Sequence, residues 1–415
     1  MALTKIITDS IDLSLDTTGL KMPKGTTAQR PAAVDSTIGE TRENTTTGNM
    51  EIYTGAKGWR ALQQTGQDVG VVPTNNFNTV LYTGTGSGLS ENGVGFAPDF
   101  VWLKNRDSGS TNHHLFDSVR GVGKTLYSDG DFAEATNPID GYLSAFDSDG
   151  FTLSAGTRNA NDVSNSGDKY VAWSWKAGGA ATTISGVGTI NSDVSANTAA
   201  GFSIVKYTGD GSAGTTIAHG LGGSPEIVFS KSLDSSYDWN VFSSSLSTNY
   251  MMKLNTDGAA FDGSAGTNGG AYTVSATLLT VVGGGSTQNN NNASGDDFIA
   301  YCWRSIPGYS KIGFYVGNGS TTGPEIYTGF KPAWLLRKNV TNSTDAHWSI
   351  LDNKRNITTP MNPRFERLLA NLDNAENTSD VNHKCDFNST GFQPLSNHNV
   401  TNALGETYIY MAFSE

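Results

Sequence analysis

Tyr82-Thr-Gly-Thr-Gly-Ser87 returns as Tyr207-Thr-Gly-Asp-Gly-Ser212 and again as Tyr315-Val-Gly-Asn-Gly-Ser320. After each copy comes a Pro-led apolar run: Pro98-Asp-Phe-Val-Trp-Leu103, Pro225-Glu-Ile-Val-Phe229 and Pro332-Ala-Trp-Leu-Leu336. Each unit then closes alike, with Gly167-Asp-Lys-Tyr-Val-Ala-Trp-Ser-Trp-Lys176, Gly295-Asp-Asp-Phe-Ile-Ala-Tyr-Cys-Trp-Arg304 and Gly405-Glu-Thr-Tyr-Ile-Tyr-Met-Ala-Phe-Ser414. Opening Tyr and closing Gly lie 85, 88 and 90 residues apart. A unit of roughly 100 residues can bury its own core, so the spacing predicts three tandem domains rather than a short-period solenoid. Their expected limits are 69–178, 179–308 and 309–415, after a different segment at 1–68.

The apolar runs are short, rich in β-branched and aromatic residues, and separated by Gly, Asn, Ser and Asp. That pattern predicts an all-β protein. In the 415 residues there are 49 Gly, and only 16% are charged. Aromatics at 10% set the chain apart from a disordered polar tract. A formal net charge of −12 argues against nucleic acid as a partner, because phosphate neutralisation needs clustered Lys and Arg. It argues equally against charge-driven adhesion to anionic membranes. No stretch approaches 18 apolar residues and no long apolar leader is visible, so neither signal peptide nor membrane insertion is expected.

Only two cysteines are present, and neither a disulfide framework nor a zinc site is predicted. Cys302 falls where the other copies have Ser174 and Ala412, which predicts a tight, buried position. Tyr82, Tyr207 and Tyr315 share one position. So do Tyr170, Phe298 and Tyr408, and likewise Trp175, Trp303 and Phe413. Repetition in every copy assigns them to the core, with both closing-strand sets expected on one face. Trp239 and Trp348 align with His113, a swap that predicts partial exposure there. Pro363–Leu372 has helical spacing, but the aligned Lys124–Tyr127 and Tyr250–Leu254 read as strands, and strand is expected. Residues 177–200 are expected to pack as an irregular strand on a sandwich edge.

Residues 1–68 read as a small meander. Ile6–Leu15 alternates like a strand. Three more are expected at Glu40–Asn44, Met50–Tyr53 and Gly58–Leu62, joined by tight turns at Thr47-Gly48-Asn49 and Gly55-Ala56-Lys57. Gly25-Thr-Thr-Ala-Gln-Arg30-Pro31, Arg42, Asn44, Tyr53 and Trp59 at their spacing resemble the short N-terminal module of bacteriophage tail-fibre and virion structural proteins. The repeats resemble, more loosely, lectin-like β-sandwich (jelly-roll) domains of marine phage structural proteins. These resemblances imply a virion protein assembled in a host cytoplasm, with Arg30, Pro31, Arg42, Asn44, Tyr53 and Trp59 in a module that attaches to other tail or virion proteins. They imply a homotrimer, and three antiparallel β-sandwiches that meet a host-surface glycan or protein.

No catalytic, metal or cofactor site is predicted. None of the six histidines recurs in all three units, and no carboxylate pair is marked out for glycoside cleavage. Thr208–Ser212 lacks the alternating oxygen ligands and terminal Glu of a calcium loop. It also lacks the Lys of a phosphate loop. Recognition is expected where the copies differ, in loops on a shared scaffold. Those loops are Asn105–Asn112, Leu233–Asp238, Gly283–Ser294, Asn339–His347 and Asn371–Lys384, with Arg106, Tyr237, Asp238 and His347 as candidate ligand contacts. A structural decoration without receptor binding and a glycan-cleaving tailspike are the alternatives.

Overall fold

Strand alternation sends neighbouring side chains to opposite faces. In each repeat the closing run becomes a strand buried on both faces. The computed structural model describes residues 24–32, 36, 40–44, 49–53, 59–61, 71–157, 162–264, 270–282, 291–355 and 362–415. It is all-β and divides into two compact units, residues 1–68 and 69–415.

In the larger unit each repeat pairs a large sheet with a three-stranded one. The closing strands Lys169–Trp175, Asp297–Trp303 and Thr407–Phe413 lie between the opening strands (Phe77–Thr83, Phe202–Thr208, Ser310–Val316) and the Pro-led strands (Phe100–Asn105, Ile227–Ser232, Trp334–Asn339), all antiparallel. The small sheets pair Gly150–Ser154 with Leu89–Asn92 and Tyr142–Asp147, Leu278–Val282 with Thr216–Ala218 and Ala271–Val274, and Gly391–Pro394 with Ile326–Tyr327 and Cys385–Asn388.

The opening and closing motifs clasp one another. Opening Tyr and closing-strand partner stack face to face: Tyr82 on Tyr170 at 4.8 Å, Tyr207 on Phe298 at 5.3 Å, Tyr315 on Tyr408 at 4.9 Å. Each opening Tyr hydroxyl donates to a carbonyl just before the closing strand, those of Val163, Asn291 and Thr401, at 2.6–2.7 Å. The first Gly of the motif is needed for close approach. A Cβ at Gly84, Gly209 or Gly317 would lie 2.0–2.3 Å from the carbonyl oxygen of Asn165, Ala293 or Ala403. The second Gly (Gly86, Gly211, Gly319) has φ of 68–74°, which only glycine adopts freely. Gly167, Gly295 and Gly405 donate back to Gly84, Gly209 and Gly317 at 2.9 Å. The near-constant spacing follows from this closure.

Inside each sandwich lies a separate cluster, with Tyr170, Phe298 or Tyr408 at its centre. Trp175, Trp303 and Phe413 are elsewhere. Five residues separate them from those aromatics, an odd offset, so the two sets face opposite ways and the expectation of one face is corrected. The outward set joins a fourth cluster drawn from all three repeats. There Trp175 lies 6.3 Å from Trp303 and 5.6 Å from Phe413, ring centre to ring centre. The three large sheets therefore pack back to back around a common core, and the repeats are parts of one body. Ser174, Cys302 and Ala412 are all fully buried, and both cysteines are free.

Thr182–Ile184 and Ser192–Asn197 form a hairpin that extends the second large sheet at its opening-strand edge. The segment 177–200 is thus two strands rather than one irregular strand. Leu368–Leu369 is a short strand paired with Ser349–Ile350, as its aligned copies required.

In the smaller unit Thr41–Asn44, Asn49–Tyr53 and Trp59–Ala61 form an antiparallel meander, with Lys24–Gly25 added in parallel. The Ile6–Leu15 strand and most of the residues of the two tight turns lie outside the described residues.

Candidate functional site

The signature residues of the smaller unit hold it together. Arg42, 5% exposed, donates to the carbonyls of Gln29 at 2.8 Å and Thr26 at 3.0 Å. Its guanidinium lies 5.8 Å over Trp59, and Trp59 packs on Tyr53 at 5.6 Å. Trp59 Nε1 donates to the Pro31 carbonyl, and Arg30 pairs with the buried Glu51. Asn44 ends the central strand, opposite Gly25 and Asn49.

In the larger unit the loops after the Pro-led strands share one anchor. Asn105 donates to Asp168 at 2.8 Å, Ser232 to Asp296 at 3.2 Å, and Asn339 to Glu406. Each acceptor directly follows the closing Gly. The same side chains accept loop amides: Asn105 from Asp107 and Ser108, Ser232 from Ser235, Asn339 from Thr341 and Asn342. Beyond the anchors Asp107, Ser110, Asp234, Ser236, Thr344 and Asp345 are exposed.

Two of the candidate contacts lie in these loops with their side chains engaged. Asp238 accepts from Lys253 and from Asn255 at 2.7 Å. Burial would raise its pKa, but those hydrogen bonds prevail and lower it. His347, half-buried, bonds Asn371 at 2.8 Å, and burial lowers its pKa. Tyr237 is half-buried, its amide closing a turn on Ser235.

Arg106 belongs to a seam instead. At 8% exposure it pairs with Glu376 of the third repeat at 2.7 Å. Glu376 also binds Arg355 at 2.7 Å, Arg355 binds Asp352 at 2.5 Å, and Trp173 Nε1 donates to Asp352 at 3.0 Å. The seam between the first two repeats repeats the plan with Arg120, Asp117, Glu134 and Tyr301. Between the second and third the equivalent places hold Ser243, Leu246, Ala260 and Met411, with Val340 at the position of Arg106 and Leu233. Backbone bonds mark the equivalence: Glu134 to Leu233, Ala260 to Val340 and Glu376 to Arg106, each N–H to carbonyl at 2.8–2.9 Å. Divergence at Arg106 therefore records how a seam is filled.

A second cyclic contact corrects the expectation for His113. Trp239 Nε1 donates to the Tyr127 carbonyl at 2.8 Å, and Trp348 Nε1 to that of Lys253 at 2.9 Å. His113 takes their place in the first repeat, facing the Leu369 carbonyl, and is fully buried.

Three lysines escaped the reading of the sequence, although each stands six residues after the Pro. Lys104, Lys231 and Lys338 are fully buried. Each ammonium donates to the carbonyl of the next residue, Asn105, Ser232 or Asn339. Lys104 and Lys338 also reach the Asp373 and Asp257 carbonyls of the neighbouring repeat, at 3.2 and 3.1 Å. Burial brings their pKa values down to about 8, 8 and 7. Buried lysines thus do recur in all three copies, two of them bonded across a seam.

No curated protein and no solved structure matches the chain significantly. A family model described as a domain of unknown function (DUF7483) matches residues 72–415, a stretch that takes in all three sandwiches, and the chain belongs to that family.

Proposed function

We propose that this chain is a non-enzymatic phage virion protein of tail-fibre type. Residues 1–68 attach it to the particle, with two sister chains, and the sandwich body meets a host-surface glycan or protein. The observation that carries this reading is the set of three loops whose anchors are equivalent and whose exposed tips differ. A fixed frame with variable tips is how loop-borne recognition is built. The common core favours a particular mechanism. Three weak contacts held at fixed spacing add avidity without the ordering cost of flexible linkers. The recurrent lysines, Lys104, Lys231 and Lys338, are fully buried, away from any substrate, which favours a binding role over acid–base chemistry.

Saturable binding of the labelled chain to host cells, reduced by Asp107→Ala, Ser236→Ala and Thr344→Ala together, is the expected result. Incorporation into particles without any saturable cell binding would instead mark a structural decoration. Release of reducing ends from host polysaccharide would overturn the non-enzymatic reading.

A further inference from the structure

Sheet edges are ordinarily blunted with charge or covered. At one position of the opening strand the charge lies on the edge that is already covered. In the second repeat the opening strand is paired by Ser192–Asn197, and Lys206 stands opposite Asp193. The equivalent strands of the first and third repeats end their sheets. At the Lys206 position they carry Leu81, 37% exposed, and Phe314, 57% exposed. The third repeat adds Val316, 49% exposed, two residues on and so on the same face.

The backbone points the same way. Gly317 donates to Glu406 on the closing-strand side, while Ser310 exchanges bonds with Ile306 on the other. Even-numbered residues of Ser310–Val316 therefore address the open edge. Ile312 N–H is taken by the Ser305 hydroxyl at 2.9 Å. The amides of Phe314 and Val316 have no backbone partner among the described residues.

We infer that the edge at Phe314 and Val316 accepts an added antiparallel strand from a partner protein, an extended segment with apolar side chains two residues apart. The second repeat supplies the template, since its own hairpin strand fills the equivalent place. There a polar residue faces a lysine. At the third repeat an apolar one must face Phe314. Strand addition of this kind takes its affinity from main-chain bonds and its specificity from alternate side chains.

The probe is a synthetic peptide of residues 191–198 carrying Asn191→Val and Asp193→Val, added to the full chain and followed by amide hydrogen exchange. The expected result is exchange about tenfold slower at Phe314 and Val316, with less protection from the unsubstituted peptide. Phe314→Lys with Val316→Thr, which copies the second repeat at an exposed site, should abolish protection and leave the melting temperature unchanged. Absence of protection, or equal protection in that variant, would overturn the inference. So would concentration-dependent dimerisation through this edge that excludes the peptide, because the occupant would then be a second copy.

Discussion

Arg106 of the first repeat and Glu376 of the third form a buried ion pair at a position where another seam of the same body places Val340 against Ala260. One geometry is filled by charge in one place and by hydrocarbon in another. Buried pairs are often replaceable by packed apolar groups, whereas removing one partner strands the other. Arg106→Ala is therefore expected to destabilise the body by about 3 kcal/mol. Arg106→Val with Glu376→Ala, the residues of that other seam, is expected to lose less, although Arg355 then forfeits one partner. Denaturant unfolding of both variants checks this.

The buried lysines predict an alkaline gain in stability. Their folded pKa values, about 8, 8 and 7, lie below the ordinary 10.5. Below pH 7 both states hold the protons and the cost of burying charge is complete. Between pH 7 and 10 the unfolded chain binds more protons than the folded one, so stability rises with pH. Above pH 10 the buried tyrosines, with raised pKa values, reverse the trend. Lys338→Met should weaken the rise, as measured by midpoint denaturant concentration from pH 7 to 9.5.

Acid should act through the histidines. His114 is fully buried, neither ring nitrogen has a partner among the described residues, and burial brings its pKa down to about 3. His113 and His383 are lowered as well. Their neutral forms support folding above pH 6.5, and that support is lost as the pH falls towards the folded values. Asp129, raised by burial to about 7, opposes this in part. His114→Phe should stabilise the body by about 1 kcal/mol, by removing unsatisfied polar atoms, and flatten the acid limb. Thermal melts between pH 4 and 7 give the comparison.

At the clasp, Gly84→Ala, Gly209→Ala and Gly317→Ala each drive a Cβ into a carbonyl oxygen. Each is expected to cost about 1–3 kcal/mol as overpacking. Gly93→Ala, with nothing within 4 Å, provides a control that carries only the strain of its φ of 87°. Melting temperatures of the four variants separate close approach from backbone strain.

The sandwich interiors were legible because each repeat solves them alike: stacked opening Tyr, closing aromatic, small residue at Ser174, Cys302 and Ala412. The seams were not. Arg106 shares its place with the aliphatic Leu233 and Val340 but not their chemistry, so comparing copies made a buried joint resemble a variable recognition loop. Lys104, Lys231 and Lys338 were visible at constant spacing from Pro98, Pro225 and Pro332. Their burial is not legible from spacing, because lysine is rarely buried without a partner. The common core rested on parity alone: Tyr170 and Trp175 are an odd number of residues apart, and a strand so spaced has two buried faces.

A core shared by three repeats must melt as one, and calorimetric unfolding of the full chain measures this. One transition is expected for residues 69–415, with van't Hoff and calorimetric enthalpies equal. Arg106→Ala and Lys338→Met, in different seams, should shift that single transition as a whole. Three separable transitions, or a variant that moves only one of them, would contradict it.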